Sequence, residues 1–151
     1  MEEIMKLFAP VTALLNDFVQ MFDEEYTVEV AHKFCADNIQ EIVYYTVAMP
    51  KTSTDEFVTD FIKRFPACSD FSEFMLSFMH ELGHLETEWD MVDDVEERNT
   101  ITDNATYFQL YNERIATDWA GDYLTEHHDE MKIIEHQILK MFHEIWKGVP
   151  D

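Results

Sequence analysis

Apolar residues recur at three- and four-residue steps through Ile4, Leu7, Phe8, Val11, Leu14, Leu15, Phe18 and Met21, which predicts an amphipathic helix over residues 3–22. Pro10 sits inside that pattern and predicts a kink, because proline lacks the N–H that the helix ladder needs. The pattern then changes. Residues 26–30 and 41–49 are rich in β-branched and aromatic side chains, with Asp37-Asn38 as turn chemistry between them and Pro50 after them. Two antiparallel strands are the simplest reading. Thr54-Asp55-Glu56 then opens a short helix that ends near Pro66. Helical periodicity governs the remainder as far as Lys147, where Gly148 and Pro150 stop it. The expected fold class is α+β, mostly helical, with a small antiparallel sheet in the first third.

Composition narrows this picture. A chain of 151 residues suits one domain over residues 1–151, since two cores would each be marginal. Hydrophobic residues make up 46% and aromatics 14%, enough for a packed core despite the charge. The net charge is −22, from 32 acidic and 10 basic side chains. A phosphate backbone would be repelled, so direct nucleic-acid binding is not expected, and an anionic membrane surface is unfavourable for the same reason. No uninterrupted apolar run reaches the length of a membrane span. Two cysteines, Cys35 and Cys68, are too few for a disulfide framework and read as reduced thiols, with Cys35 packed. The acidic start Met1-Glu2-Glu3 does not resemble a secretory signal. These features predict a soluble cytoplasmic protein.

The chemistry concentrates after residue 68. Ser69-Asp70-Phe71-Ser72-Glu73 supplies N-cap candidates with a glutamate placed for a capping box. Beyond it, Phe71, Phe74, Met75, Phe78, Met79 and Leu82 share one arc of a helix, and His80 and His84 fall roughly opposite. Imidazoles four residues apart stack one turn above each other, so both can ligate one tetrahedral ion. Glu81 then points beside the metal, where it can take a proton from a metal-bound water. Gly83 is costly inside a helix, by about 1 kcal/mol relative to Ala, and a close neighbour would explain it.

A third ligand has to come from another element. Residues 107–124 read as a helix with Phe108, Tyr111, Ile115 and Trp119 on its apolar face, so Tyr111 is expected in the core. The opposite face carries Glu113 among Ala116, Thr117 and Ala120, small residues that permit close approach to Gly83. Asp118 lies about 140° from Glu113 around that helix, so the two cannot both face the ion. It is placed instead to bond a ligand histidine's second nitrogen or cap a neighbouring group. Tyr107, His127 and His128 are candidates to donate to a substrate oxyanion, although an adjacent histidine pair also suits a solvated helix boundary. His136 and His143 are two turns apart, too far to chelate one ion, and His32 has no companion. The acidic run from Asp90 to Glu97 lacks the glycine and ligand alternation of a calcium loop. It reads as an acidic loop at the cleft border, favouring basic substrates.

His80-Glu81-Leu82-Gly83-His84 followed by Glu113-Arg114-Ile115-Ala116 resembles the gluzincin pattern of zinc peptidases. The stretch from Glu113 to Ala120 is similar to the Glu-x-Glu-Ala-Asn/Asp-x-Phe-Ala signature of the ImmA/IrrE family, with Ile115, Thr117 and Trp119 as departures. Those are small intracellular metallopeptidases, common in phages and mobile elements, that cleave repressor proteins. The resemblance implies a zincin-like domain with His80, His84 and Glu113 as zinc ligands and Glu81 as general base. It also implies that Val43, Tyr44, Tyr45, Thr46 and Val47 hold an extended peptide by strand addition, although an ordinary buried strand reads equally well there. The expected function is therefore zinc-dependent hydrolysis of a protein or peptide substrate, such as a regulator. The alternative is an acidic phage-type binding or inhibitor protein with a non-catalytic metal site. Structural zinc sites usually have four protein ligands, commonly with cysteine, and neither cysteine lies near this motif.

Overall fold

The computed structural model describes residues 2–48, 56–101, 107 and 110–149. Several sequence expectations, at Met49, Pro50, Thr54, Asp55, Phe108 and Pro150, lie outside those residues. The first predicted helix is two: α1 (Glu2–Lys6) and α2 (Ala9–Val19). Pro10 occupies the first turn of α2, and its ring would clash with the carbonyl four residues back, so the chain breaks at Leu7–Phe8 instead of kinking. The break is useful to the core. Phe8 turns fully inward and packs edge-on against Phe142 and Trp146, at ring-centroid distances of 4.9 and 5.8 Å. Leu7 and Met21 face solvent despite fitting the helical period.

The sheet has three strands, β1 (Thr27–Ala31), β2 (Cys35–Asp37) and β3 (Ile42–Thr46), in the order β1-β3-β2. Its pairing corrects the sequence reading. β1 and β3 are parallel, with Val28 opposite Val43, and only the short β2 runs antiparallel to β3. The Asp37-Asn38 turn closes the β2–β3 hairpin, where Asp37 Oδ1 accepts the N–H groups of Ile39 and Gln40, each at 3.0 Å. A three-residue strand shows no alternation in sequence, so β2 is invisible there and the two longer strands read as direct partners. The outer edge of β1 meets α2, where Asn16 Oδ1 accepts the Val28 N–H at 2.7 Å.

The helical part begins with α3 (Glu56–Arg64), followed by α4 (Glu73–Glu86) and the short α5 (Val95–Asn99). Two long helices complete it: α6 (Tyr111–Glu126) and α7 (His128–Lys147). Ser72 caps α4, its hydroxyl accepting the Met75 N–H at 3.3 Å. The expected capping-box glutamate is replaced from a distance: Glu135 of α7 accepts the Ser72 N–H at 2.7 Å. α4 is buried on nearly all sides. Phe74 packs toward the sheet against Phe34 and Tyr45, while Gly83 meets α6. Trp146 of α7 donates to the Val47 carbonyl at 2.9 Å, tying the last helix to the end of the sheet. No described helix is long and apolar enough to cross a membrane.

Candidate metal centre

α4 and α6 approach so closely that a Cβ on Gly83 would lie 2.4 Å from the Ala116 carbonyl oxygen. The small face of α6 makes this possible: Ala116, Thr117 and Ala120 are all buried there. The same face carries Glu113 to the two histidines of α4. His80 Nε2 stands 3.2 Å from His84 Nε2 and 3.0 Å from Glu113 Oε1. His84 Nε2 is 3.3 Å from each Glu113 oxygen. Ligands at 2.0–2.1 Å around a tetrahedral ion stand about 3.3 Å apart, so the three donors have nearly the spacing that zinc would impose. Two imidazoles and one carboxylate, with no sulfur, are the donor set of an open zinc site.

The surroundings orient these groups. His80 Nδ1 is 2.8 Å from the Thr117 hydroxyl, a contact that turns Nε2 toward Glu113 and His84; an ion there would take Nε2 with the ring proton on Nδ1, donated to Thr117. Phe57 of α3 packs edge-on against the His80 ring at 5.1 Å. All three donors are buried, His80 at 6%, His84 at 9% and Glu113 at 4% exposure. Burial alone would raise the Glu113 pKa, but hydrogen bonds from both histidines hold it far below the usual carboxylate range. His84 shifts upward, because the Glu113 hydrogen bond and charge outweigh its burial. Glu81 also shifts upward, burial outweighing the two nearby imidazoles. A carboxylate oxygen of Glu81 lies within 4.8 Å of ring nitrogens of His80 and His84, beside the donor cluster.

The cluster opens into a cleft of about 520 Å³. Phe34, Cys35 and Ala36 of the β2 region line it on the sheet side. Cys35 is thus half-buried in the cleft wall, and Cys68 is the fully packed cysteine, the reverse of the expected emphasis. The expected substrate strand needs correction. β3 is central, paired with β1 over Ile42–Thr46 and with β2 over Ile42–Tyr44, so Val43 and Tyr44 have no free edge, while Tyr45, Thr46 and Val47 extend past the end of β2. Val43, Tyr45 and Val47 are core. The sheet edge beside the cleft belongs to β2.

Of the other candidates, Tyr107 lines the cleft, its hydroxyl accepting from Arg98 Nη2 at 2.7 Å. Asp118 does not reach a histidine; it pairs with Arg64 of α3, and Thr117 takes the place expected of it. His127 stacks on Tyr123 at 4.3 Å and His128 bonds Asp70 at 2.8 Å, both outside the cleft lining. His128 therefore meets the chain ten positions before His80, near the opposite end of α4. Tyr111 is 52% exposed, because α6 buries its small face and leaves part of its aromatic one in solvent.

Three contributors had no clear sequence signal. Arg98 reaches the cleft from the acidic run, whose end folds as α5 where the sequence reads as a loop. Asn112 accepts the Val92 N–H at 2.9 Å and donates to its carbonyl at 2.7 Å, pinning that run beside Glu113. Asn38 donates to the His84 carbonyl at 2.9 Å. Thr117 was legible only as a small residue; its i+4 spacing from Glu113 was the available hint of a shared role. Comparisons with protein-family profiles, with curated proteins and with solved structures give no match for this chain.

Proposed function

We propose that the chain is a zinc-dependent peptidase acting on a protein substrate, with the gluzincin-like and ImmA/IrrE-like arrangement of its site residues. The observation that carries this reading is the convergence of His80 Nε2, His84 Nε2 and Glu113 Oε1 at 3.0–3.3 Å from one another. His80, His84 and Glu113 would hold the ion. Zinc in such a site acidifies water and polarises a carbonyl. Glu81, beside the donors, takes the proton of the attacking water and passes it to the leaving amine. Tyr107, held by Arg98 in the cleft wall, donates to the carbonyl oxygen as it gains charge. Thr117 keeps His80 in the ligating orientation. The substrate would lie extended along the edge of β2 and not along β3.

Glu81→Gln tests the mechanism. The variant is expected to keep the wild-type zinc content and melting temperature while losing cleavage of a peptide mixture by about 10²-fold or more. Cleavage at the wild-type rate would remove Glu81 as the base. An acidic binding protein with an inert metal site would bind zinc equally well and cut nothing before or after the change.

A further inference from the structure

We infer that the cleft rim formed by the β2–β3 turn and the Glu88–Asp90 turn is a docking surface for a basic amphipathic segment of another protein. Ile39 and Trp89 are each 95% exposed and Val92 is 53% exposed. Single exposed apolar side chains are ordinary, but these stand on segments fastened to one another. Asn38, next to Ile39, is bonded to the His84 carbonyl and lies 3.8 Å from the sulfur of Met91, two residues after Trp89. Val92 is held by Asn112. Asn38, Met91 and Asn112 also line the cleft, so the rim is continuous with it.

The charge around this rim identifies the occupant. Glu88 and Asp90 flank Trp89 and are exposed. Carboxylate oxygens of Asp23, Glu25 and Glu41 lie within 4.8 Å of one another, and Glu88 acts on Glu41 as a further like charge. Among the described residues none of these four forms an ion pair with a basic side chain. Such an arrangement is self-repelling until cations arrive from outside. Tryptophan is the residue type most often dominant at protein interfaces, and surrounding carboxylates steer a basic partner onto it. A second copy of this chain, at −22, would be repelled. The surface does not depend on the hydrolytic reading and stands whether or not Glu81 performs chemistry.

The test uses the full chain carrying Glu81→Gln, so that no probe is cut. The probe is a labelled Lys/Leu amphipathic peptide, compared with a Glu/Leu peptide of the same pattern and a Lys/Ser peptide of the same charge. The Lys/Leu peptide is expected to bind at least about tenfold more tightly than either comparator, a difference of about 1.4 kcal/mol. Ile39→Ser with Trp89→Ser should weaken it by about tenfold or more, while Leu7→Ser with Ile133→Ser, exposed elsewhere, should change it less than about twofold. Zinc content and melting temperature of the variants show that the fold is kept. Equal binding of the Lys/Ser peptide would reduce the surface to bulk charge and overturn the inference. Unchanged affinity in the rim variant, or a wild-type dimer that the rim variant dissociates, would also overturn it.

Discussion

Gly83 lies against the backbone of Ala116 with no room for a methyl group: a Cβ there would stand 2.4 Å from the carbonyl oxygen and 3.1 Å from the Cα. Gly83→Ala should therefore behave against helix propensity. At an open helical position the change would stabilise by about 1 kcal/mol. Here the helices must separate, and a loss of about 1–3 kcal/mol is expected. Glu113 moves with α6, so zinc affinity should fall as well. Urea unfolding and a zinc titration on the same protein check both, and a stabilised variant with unchanged affinity would be inconsistent with the close approach.

Glu113 and Asp118 share α6 but have separate partners, the histidines for one and Arg64 for the other. Glu113→Ala is expected to reduce zinc affinity far more than Asp118→Ala. Thr117→Val should fall between them, at about 10–100-fold, the usual range for a group that orients a metal-binding histidine. Competition titration against a chromogenic chelator ranks the three. A greater loss for Asp118→Ala would detach Glu113 from the metal.

The histidine pair and Glu113 were legible because a helix converts spacing into direction: four residues make one turn, and small neighbours announce close packing. The α+β class followed in the same way from runs long enough to show a period. What failed was short or non-local. β2 has three residues and no period, so the parallel pairing of β1 with β3 and the true edge strand were hidden. Arg98 reaches the site on the five-residue α5 and Asn38 from the β2–β3 turn, segments too short for spacing to place them. Tyr111 was misplaced because periodicity identifies two faces of α6 without saying which one a larger neighbour covers.

Glu135 caps α4 from another helix, accepting the Ser72 N–H at 2.7 Å while pairing with Lys132 at 2.5 Å. Glu135 is 4% exposed and the bond is partly buried, so removing its carboxylate takes away the acceptor of the Ser72 N–H. Glu135→Ala should destabilise the protein by about 1.5–3 kcal/mol, as expected for a hydrogen bond to a charged group. Glu135→Gln, which retains an acceptor, should cost less. Chemical denaturation of both variants checks the order, and equal losses would count against capping as the cause.

The exposed His128–Asp70 bond gives stability a defined pH dependence. His128 is raised above its ordinary 6.5 by hydrogen bonds to Asp70 and Asp129, so its contribution is complete below that value and is lost as pH rises through the higher folded value. For Asp70, burial acts upward but is outweighed by the bond to His128, with Lys132 adding to the effect. Its pKa falls below the ordinary 3.8, so its contribution is complete above that value and is lost as pH falls through the lower folded one. The stability gap between wild type and Asp70→Asn should therefore be widest between these ordinary values and narrow on both sides. Unfolding of both proteins across that range would reveal a flat gap if the bond does not form in solution.

Chelation should lower the melting temperature without abolishing helical circular dichroism. The core includes Phe8, Phe61, Phe78 and Phe142, fully or almost fully buried and independent of the ion. A site saturated to about a hundred times its dissociation constant contributes about 2.7 kcal/mol, a fraction of what such a core supplies. Complete loss of secondary structure on chelation would instead make the metal a folding staple, as in zinc fingers.

The most direct test of the metal centre is the metal content of protein purified without added zinc or chelator, measured by elemental analysis alongside Glu113→Ala. The convergence of His80, His84 and Glu113 predicts one equivalent of zinc in the wild type and a marked loss in the variant. Wild-type protein that contains no zinc, and takes none up when it is supplied, would contradict the metal centre and the hydrolytic function built on it.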